Sequence, residues 1–513
     1  WGGINIYKPS KNTFTQYSHN ALNPLGLSNK VVQSIIQDRD GDIWLGIDHG
    51  GVNFFDKEMG TFVHYCYEEG NEKSLSSNPV LDLEEDSYGY IWVGTWGGGL
   101  NRFDKRTGDF KRYPTNCSDS LGICGENVFA IFEDRDRTLW IGTHDCGLHR
   151  YNRETDSFTI YKLVQSDSAS ISSNRIFCIQ EDNFNNLWVG TNSGLNLFEK
   201  KTKQFKVFSH DSDVPLSLID NTVRDIFQDS KNRLWIATNA GLSQFNYDEG
   251  NFNNYTTRNG LPSNVVSSIL EDDNGNLWLG TYSGLSRFNP DMEIFQNIKK
   301  KDGILDNQLR YRSACKLNSG EFAYGTPVGF FIFHPDSIVE NHFVPEIVFT
   351  GFNLFSKPVR AGYVYRNHTI LTQSINETEL IELPHYLNDI AFEIAALDYT
   401  APEGNSYAYM FDEEDEDWIS LGNEGKISFN NLKAGEYILK VKGSNSDGIW
   451  NEEGRQITFI INPPFWKTWY ALVFYILFGS LFLSFLLRSI VKKERLTKEL
   501  EMSGLVAEQE RQL

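Results

Sequence analysis

A chain of 513 residues with a formal net charge of -21 and 14% aromatic residues has room for two or three domains with well-filled β cores. That acidity argues against a nucleic-acid partner, whose phosphates need a basic face. Six cysteines without a CxxC and ten scattered histidines without an HExxH give metal chemistry no support, so no metal, cofactor or catalytic residue is expected.

Trp1–Tyr7 reads as a third strand left over from an upstream blade, and Phe14–Tyr17 as a fourth strand whose first three lie elsewhere. From Asp38 onward one short sentence recurs: DRDGDIWLG (Asp38–Gly46), DSYGYIWVG (Asp86–Gly94), DRDRTLWIG (Asp134–Gly142), DNFNNLWVG (Asp182–Gly190), DSKNRLWIA (Asp229–Ala237) and DDNGNLWLG (Asp272–Gly280). Its tryptophans, Trp44, Trp92, Trp140, Trp188, Trp235 and Trp278, are 48, 48, 48, 47 and 43 residues apart. A period of about 40 to 50 residues carrying four short apolar strands is the signature of a β-propeller blade. In the second unit the strands fall at Val80–Glu85, Tyr90–Gly94, Gly99–Phe103 and Phe110–Tyr113.

A tryptophan that returns once per blade on the second strand is an inter-blade packing element rather than a ligand platform. Three residues before it stand Gly41, Gly89, Arg137, Asn185, Asn232 and Gly275. All but Arg137 are types that tolerate φ > 0 in a tight hairpin. The acidic turn Asp38–Asp42 superficially resembles a calcium loop, but strands flank it and the bidentate twelfth-position Glu is missing, so a plain hairpin is expected. Cys117 and Cys124 bracket a short inter-blade loop, either bridged in an oxidising compartment or reduced.

A seventh unit lacks the Trp: Ser313–Leu317, Glu321–Gly325 and Gly329–Phe333 supply three strands, and Phe14–Tyr17 is expected to close the ring as the fourth. Seven blades over residues 8–340 result, with an eight-bladed ring using Trp1–Tyr7 as the alternative. Strands Glu346–Phe352, Thr369–Leu371, Asp389–Ala396, Tyr407–Phe411, Lys426–Phe429, Tyr437–Asn445 and Gln456–Ile461 then suggest an immunoglobulin-like sandwich over 341–462. Thr468–Leu487 is uncharged and long enough to cross a bilayer, with Trp466, Trp469 and Tyr470 at its start. Arg488, Lys492, Lys493, Arg495 and Lys498 follow, which places that side in the cytoplasm and residues 1–467 in the periplasm. The remainder, 488–513, reads as a short cytoplasmic signalling helix. The fold class is therefore all-β, a seven-bladed propeller and a sandwich, followed by one transmembrane helix (463–487 with its juxtamembrane lead) and the cytoplasmic helix.

The segments Phe392–Trp418, Asn431–Gly454 and Pro463–Tyr470 resemble the domain named for its three spaced tyrosines, here Tyr407, Tyr409 and Tyr437. With the propeller repeats, the chain resembles the sensor region of hybrid two-component systems, which combine histidine kinase and response regulator. Glu413 and Glu414 depart from the family pattern. No His-box, nucleotide-binding glycine motif or receiver aspartate is present, so the resemblance implies a sensor without its enzyme. It also implies an oligosaccharide ligand, a homodimer, and an effector that is a kinase or a fused DNA-binding domain.

The loops between second and third strands lie on one face of the disc and differ from blade to blade. Trp96 and Tyr282 offer stacking faces for a sugar ring, while Asp48, His49, His144, Asp145, Asn192 and Asn239 offer donors and acceptors for its hydroxyls. The competing class, a membrane-anchored propeller hydrolase or lyase, needs convergent acid and base groups near the axis. The first-strand column Ser34, Asp82, Ala130, Cys178, Asp225 and Ser268 supplies Asp82 and Asp225, three blades apart. A passive adhesion propeller would share the fold without explaining the helix.

Overall fold

The computed structural model describes residues 13–116, 121–338, 341–366, 368–400, 402–411 and 417–511. Trp1–Tyr7, Cys117, Glu413 and Glu414 lie outside them. Two compact units result, Trp1–Val339 and Glu340–Leu513.

The first unit is seven four-stranded antiparallel sheets. Blades 1 to 6 each use four consecutive strands: in blade 1 these are Val32–Gln37, Ile43–Ile47, Gly51–Asp56 and Thr61–Tyr65. Blade 7 takes Ala314–Lys316, Phe322–Thr326 and Gly329–Phe333, then borrows Thr15–Ser18 from the start of the chain. The pairing Thr15↔Ile332 through Ser18↔Gly329 closes the ring, so no long unpaired edge remains there. The closing strand begins one residue after the expected Phe14, whose ring packs against Phe331 and Phe333.

Each repeated tryptophan is at most 3% exposed and packs against the next blade, Trp44 against Leu83, Ile91 and Phe103 of blade 2. Its indole N–H donates to the aspartate six residues earlier at 2.8–2.9 Å in all six blades, from Trp44–Asp38 to Trp278–Asp272. That aspartate also accepts backbone N–H groups of its own turn, as Asp38 does from Asp40 and Asp42. One carboxylate thus fixes both hairpin and ring, which satisfies a buried donor and explains why the sentence opens on Asp. The hairpin position takes positive φ in every blade, and Arg137 complies at φ 60°, at a steric cost of about 1 kcal/mol. The residue two after the Trp, Gly in five of the six units and Ala237 in blade 5, is kept small by close packing: a Cβ on Gly142 would lie 2.5 Å from Ile176 Cγ2 of the next blade, and one on Gly280 2.4 Å from Ser268 Oγ of its own. Blade 7 has Ala323 at the tryptophan's position, and Tyr17 stacked on Phe330 at 4.7 Å fills the gap against Phe55.

The second unit holds two facing sheets. One orders Lys357–Pro358, Ile347–Leu354, Ile390–Ala396 and Lys426–Phe429; the other Leu380–Pro384, Arg455–Asn462, Gly435–Ser444, Ser406–Phe411 and Ile419–Gly422. Phe349, Phe352 and Phe392 from the first meet Leu439, Val441 and Phe459 from the second in one core. Several strands here were not expected: the two-residue Lys357–Pro358 and Val364–Tyr365, the edge strand Ile419–Gly422, and Leu380–Pro384, the last paired in parallel with Arg455–Asn462. The expected strand at Thr369–Leu371 is instead a two-residue hairpin arm, His368–Thr369 against Val364–Tyr365. The expected transmembrane and cytoplasmic helices are one uninterrupted helix, Trp469–Glu510, with an apolar portion long enough to cross a membrane.

Candidate ligand site at the mouth of the propeller

The innermost strand of each of blades 1 to 6 carries a bulge one residue after it begins, at Gln33, Leu81, Phe129, Phe177, Arg224 and Ser267. A bulge leaves one residue unpaired and re-aims its side chain. Blade 7 has a wider version: the Arg310 N–H bonds Gly325 O and the Gly325 N–H bonds Ser313 O, leaving Tyr311 and Arg312 looped between them.

These residues meet four of the predicted loop-tip residues. The Trp96 ring, 46% exposed, lies 6.0 Å from Phe129 and 5.6 Å from His144, and Phe129 stacks on His144 at 5.4 Å. Phe129 continues to Phe177 at 5.9 Å. The Arg224 guanidinium then lies 4.5 Å from the Phe177 ring and 4.2 Å from Tyr311, while its Nε donates to Asn239 Oδ1 at 2.9 Å. Tyr311 accepts a 2.6 Å hydrogen bond from the Tyr282 hydroxyl. An aromatic strip with one embedded cation therefore crosses the mouth from blade 2 to blade 6, with the small Ser267 of blade 6 leaving room for Arg224 to reach Tyr311.

The other predicted residues stay on their own blades. His49 pairs with the adjacent Asp48, Asp145 with the adjacent His144, and Asn192 accepts from Ser173. Phe129, Phe177, Arg224, Arg310 and Tyr311 were missed. For Phe129, Phe177 and Arg224 the one trace is that the residue after the first Val or Ile of each unit varies from Gln to Phe to Arg, which marks no bulge by itself; Arg310 and Tyr311 follow Leu309 and offer not even that.

One layer below, Arg312 spans the axis. Its Nη1 is 3.1 Å from Asp82 of blade 2 and 3.5 Å from the Phe177 carbonyl of blade 4, and its Nε is 3.9 Å from Asp225 of blade 5. Asp82 also accepts from Ser34 and from the Ile131 N–H of the next blade, and Asp225 from the Ile226 and Ile269 N–H groups. Burial pushes Asp225 up to about 6 against the pull of Arg312, and burial with Asp82 nearby pushes Glu84 up to about 8. The carboxylate column is thus occupied as inter-blade joints around a central arginine, not as a free acid and base facing a substrate. On the face opposite the mouth, the acidic trio Asp134, Asp136 and Glu181 is bridged by the Lys200 ammonium.

Cys124 is disulfide-bonded. Cys117, its suggested partner, lies outside the described residues.

Six segments, 26–49, 74–97, 122–145, 170–193, 217–240 and 260–283, match the family described as two component regulator propeller, and 398–462 match the Y_Y_Y domain. Together these matches give the chain two-component-regulator propeller repeats and a Y_Y_Y domain, followed by one helix long and apolar enough to cross a membrane. In structure it is similar to the extracellular domain assigned to the hybrid two component system BT3049 of B. thetaiotaomicron, at 26% identity and TM-score 0.70, over 88% of this chain and 58% of that one. In sequence it is 27% identical over 202 residues to Histidine kinase P4 of Formosa agariphila, which is 39% of this chain and 14% of that protein. The chain spans less than two thirds of either relative's length. The matched regions are propeller repeats and Y_Y_Y domain, and no kinase module is among them.

Proposed function

We propose that the propeller mouth binds an oligosaccharide and that the chain reports its presence across the inner membrane to a histidine kinase. The observation that carries this reading is the convergence of Trp96, His144, Asn239 and Tyr282, from four blades, on the strip of Phe129, Phe177, Arg224 and Tyr311. Ring faces beside fixed amide, phenol and imidazole groups suit a sugar, which presents apolar C–H faces ringed by hydroxyls. Arg488, Lys492, Lys493, Arg495 and Lys498 beyond the apolar run favour a cytoplasmic C-terminal side and periplasmic residues 1–467. A single helix carries information only relative to another element, so the working unit is a homodimer.

The test is calorimetric titration of the chain in nanodiscs against an oligosaccharide panel. Trp96→Ala and Tyr282→Ala should each weaken binding by about 1–3 kcal/mol with little change in melting temperature. Unchanged affinity in both variants would move the site off this face.

A further inference from the structure

We propose that this mouth is built for an anionic oligosaccharide, one whose sugar carboxylate or sulfate ester is held by Arg224 and Arg310; this rests on the sugar-binding reading above. In a protein of net charge -21, several half-buried arginines sit against carboxylates. On the opposite face, Arg153 meets Asp86 and Glu133, and Arg233 meets Asp229 and Asp291. At the axis Arg312 has Asp82 and Asp225. The two arginines of the mouth differ. Arg224 spends its Nε on the neutral Asn239 amide, and Arg310 gives Nε and Nη2 to the neutral Gln33 amide at 2.9 and 2.8 Å. Among the described residues, neither has a carboxylate within 4.0 Å.

Both are also held ready. Arg224 is fixed by its amide bond and by the rings of Phe177 and Tyr311 on which it lies, so its terminal N–H groups are positioned before a ligand arrives and little side-chain entropy is left to lose. Both stand at the mouth: Arg310 opens the wide loop that holds Tyr311 and bonds Gln33, the bulge residue of blade 1, while Arg224 lies over the Tyr311 ring. A guanidinium with free N–H groups matches the planar oxygens of a carboxylate or the face of a sulfate. The flanking Trp96, Phe129 and Tyr282 then serve the neighbouring sugar rings, and the partly desolvated mouth strengthens the ion pair relative to water.

Four probes are titrated into the intact chain in nanodiscs: tetragalacturonate, a sulfated galactan tetramer, an uncharged galactan tetramer and inorganic sulfate. The expected result is binding of at least one charged tetramer, weaker by tenfold or more with the uncharged one. Arg224→Gln and Arg310→Gln should each lose at least tenfold affinity for the charged probe, while Arg224→Lys retains part of it; melting curves report whether each variant is folded. Preference for the carboxylate or the sulfated tetramer identifies which anion the site takes. Equal or tighter binding of the uncharged tetramer, insensitive to Arg224→Gln but weakened by Trp96→Ala, would overturn the anionic proposal and keep the sugar reading. Sulfate bound through Arg224 with no tetramer bound would keep the anion site and overturn the sugar reading. Binding of none of the four would overturn the proposal.

Discussion

Single residues in this propeller are informative where they break the repeat. Asn53, Asn101 and Asn196 stand at one position of the third strand in blades 1, 2 and 4, and each amide donates to a serine hydroxyl of the loop leading into its blade, at 2.8–2.9 Å. Blade 3 has His149 there and the disulfide-bonded Cys124 in place of the serine, so the fully buried imidazole lacks the hydroxyl partner its counterparts have. Burial holds the ring down to about 4, with the Gly147 and Ile141 carbonyls opposing weakly. A base whose folded pKa lies below its unfolded value of about 6.5 costs nothing above that pH, because both states are neutral. Between pH 6.5 and 4 only the unfolded chain takes the proton, so stability falls as pH falls, by up to about 3 kcal/mol, and the effect levels off below 4. Denaturant titrations of His149→Asn should show that segment of the pH dependence removed; an unchanged slope would mean that carboxylates alone cause it. The mouth was half legible at this scale. Trp96, His144, Asn239 and Tyr282 stand out as loop tips, but the bulges that aim Phe129, Phe177 and Arg224 do not. A bulge shifts register by one residue without changing composition, so counting strand faces pointed to the next column, Asp82 and Asp225, which the structure ties to Arg312.

Elements were the most legible level, because a period near 48 residues around a buried tryptophan has one economical solution. Ring closure was also readable, since three strands without a fourth at one end and a lone fourth strand at the other imply each other. The closing strand rests on Tyr17, which stacks on Phe330 and meets Phe55 edge-on. Tyr17→Ala should destabilise the propeller by about 2–4 kcal/mol, with hydrogen exchange in Gly329–Phe333 rising before that in blades 3 to 5. Uniform exchange across all blades would mean that the ring opens elsewhere. The sandwich was less legible. Leu380–Pro384 pairs in parallel with Arg455–Asn462, some 75 residues later, and a non-local parallel partner leaves no turn signal next to the strand. Ile419–Gly422 is a short, mostly exposed edge strand, with too little apolar alternation to register.

At the scale of the whole molecule, the connection between sandwich and helix is short and constrained. After the last strand ends at Asn462, Pro463-Pro464 lead into one turn of 3-10 helix at Phe465–Lys467, and Trp466 packs edge-on against His385 of the sandwich unit at 5.3 Å. The helix that follows runs 42 residues without a break, about 63 Å at 1.5 Å per residue and twice the thickness of a bilayer core. A reorientation of the sandwich would therefore reach the far side as motion of a single rod. Because a ligand shifts an equilibrium only by its differential affinity for two states, the proposed oligosaccharide would act by favouring one arrangement of the proposed dimer over another. A flexible Gly-Ser insertion after Asn462 in the full-length regulator should leave ligand affinity intact and abolish the response of a reporter gene. A normal response would rule out rigid coupling through Asn462–Lys467.

If the propeller mouth is the sensing surface, hydrogen exchange of the intact chain should change there when an oligosaccharide binds. Exchange should slow in the peptides holding Trp96–Gly98, Phe129, Phe177, Arg224, Tyr282 and Tyr311, on one face of blades 2 to 7, with the opposite-face hairpins at Asp38–Asp42 and Asp134–Thr138 unaffected. Protection confined to the opposite face, or to the Y_Y_Y domain at 398–462, would contradict a sensing role for the mouth.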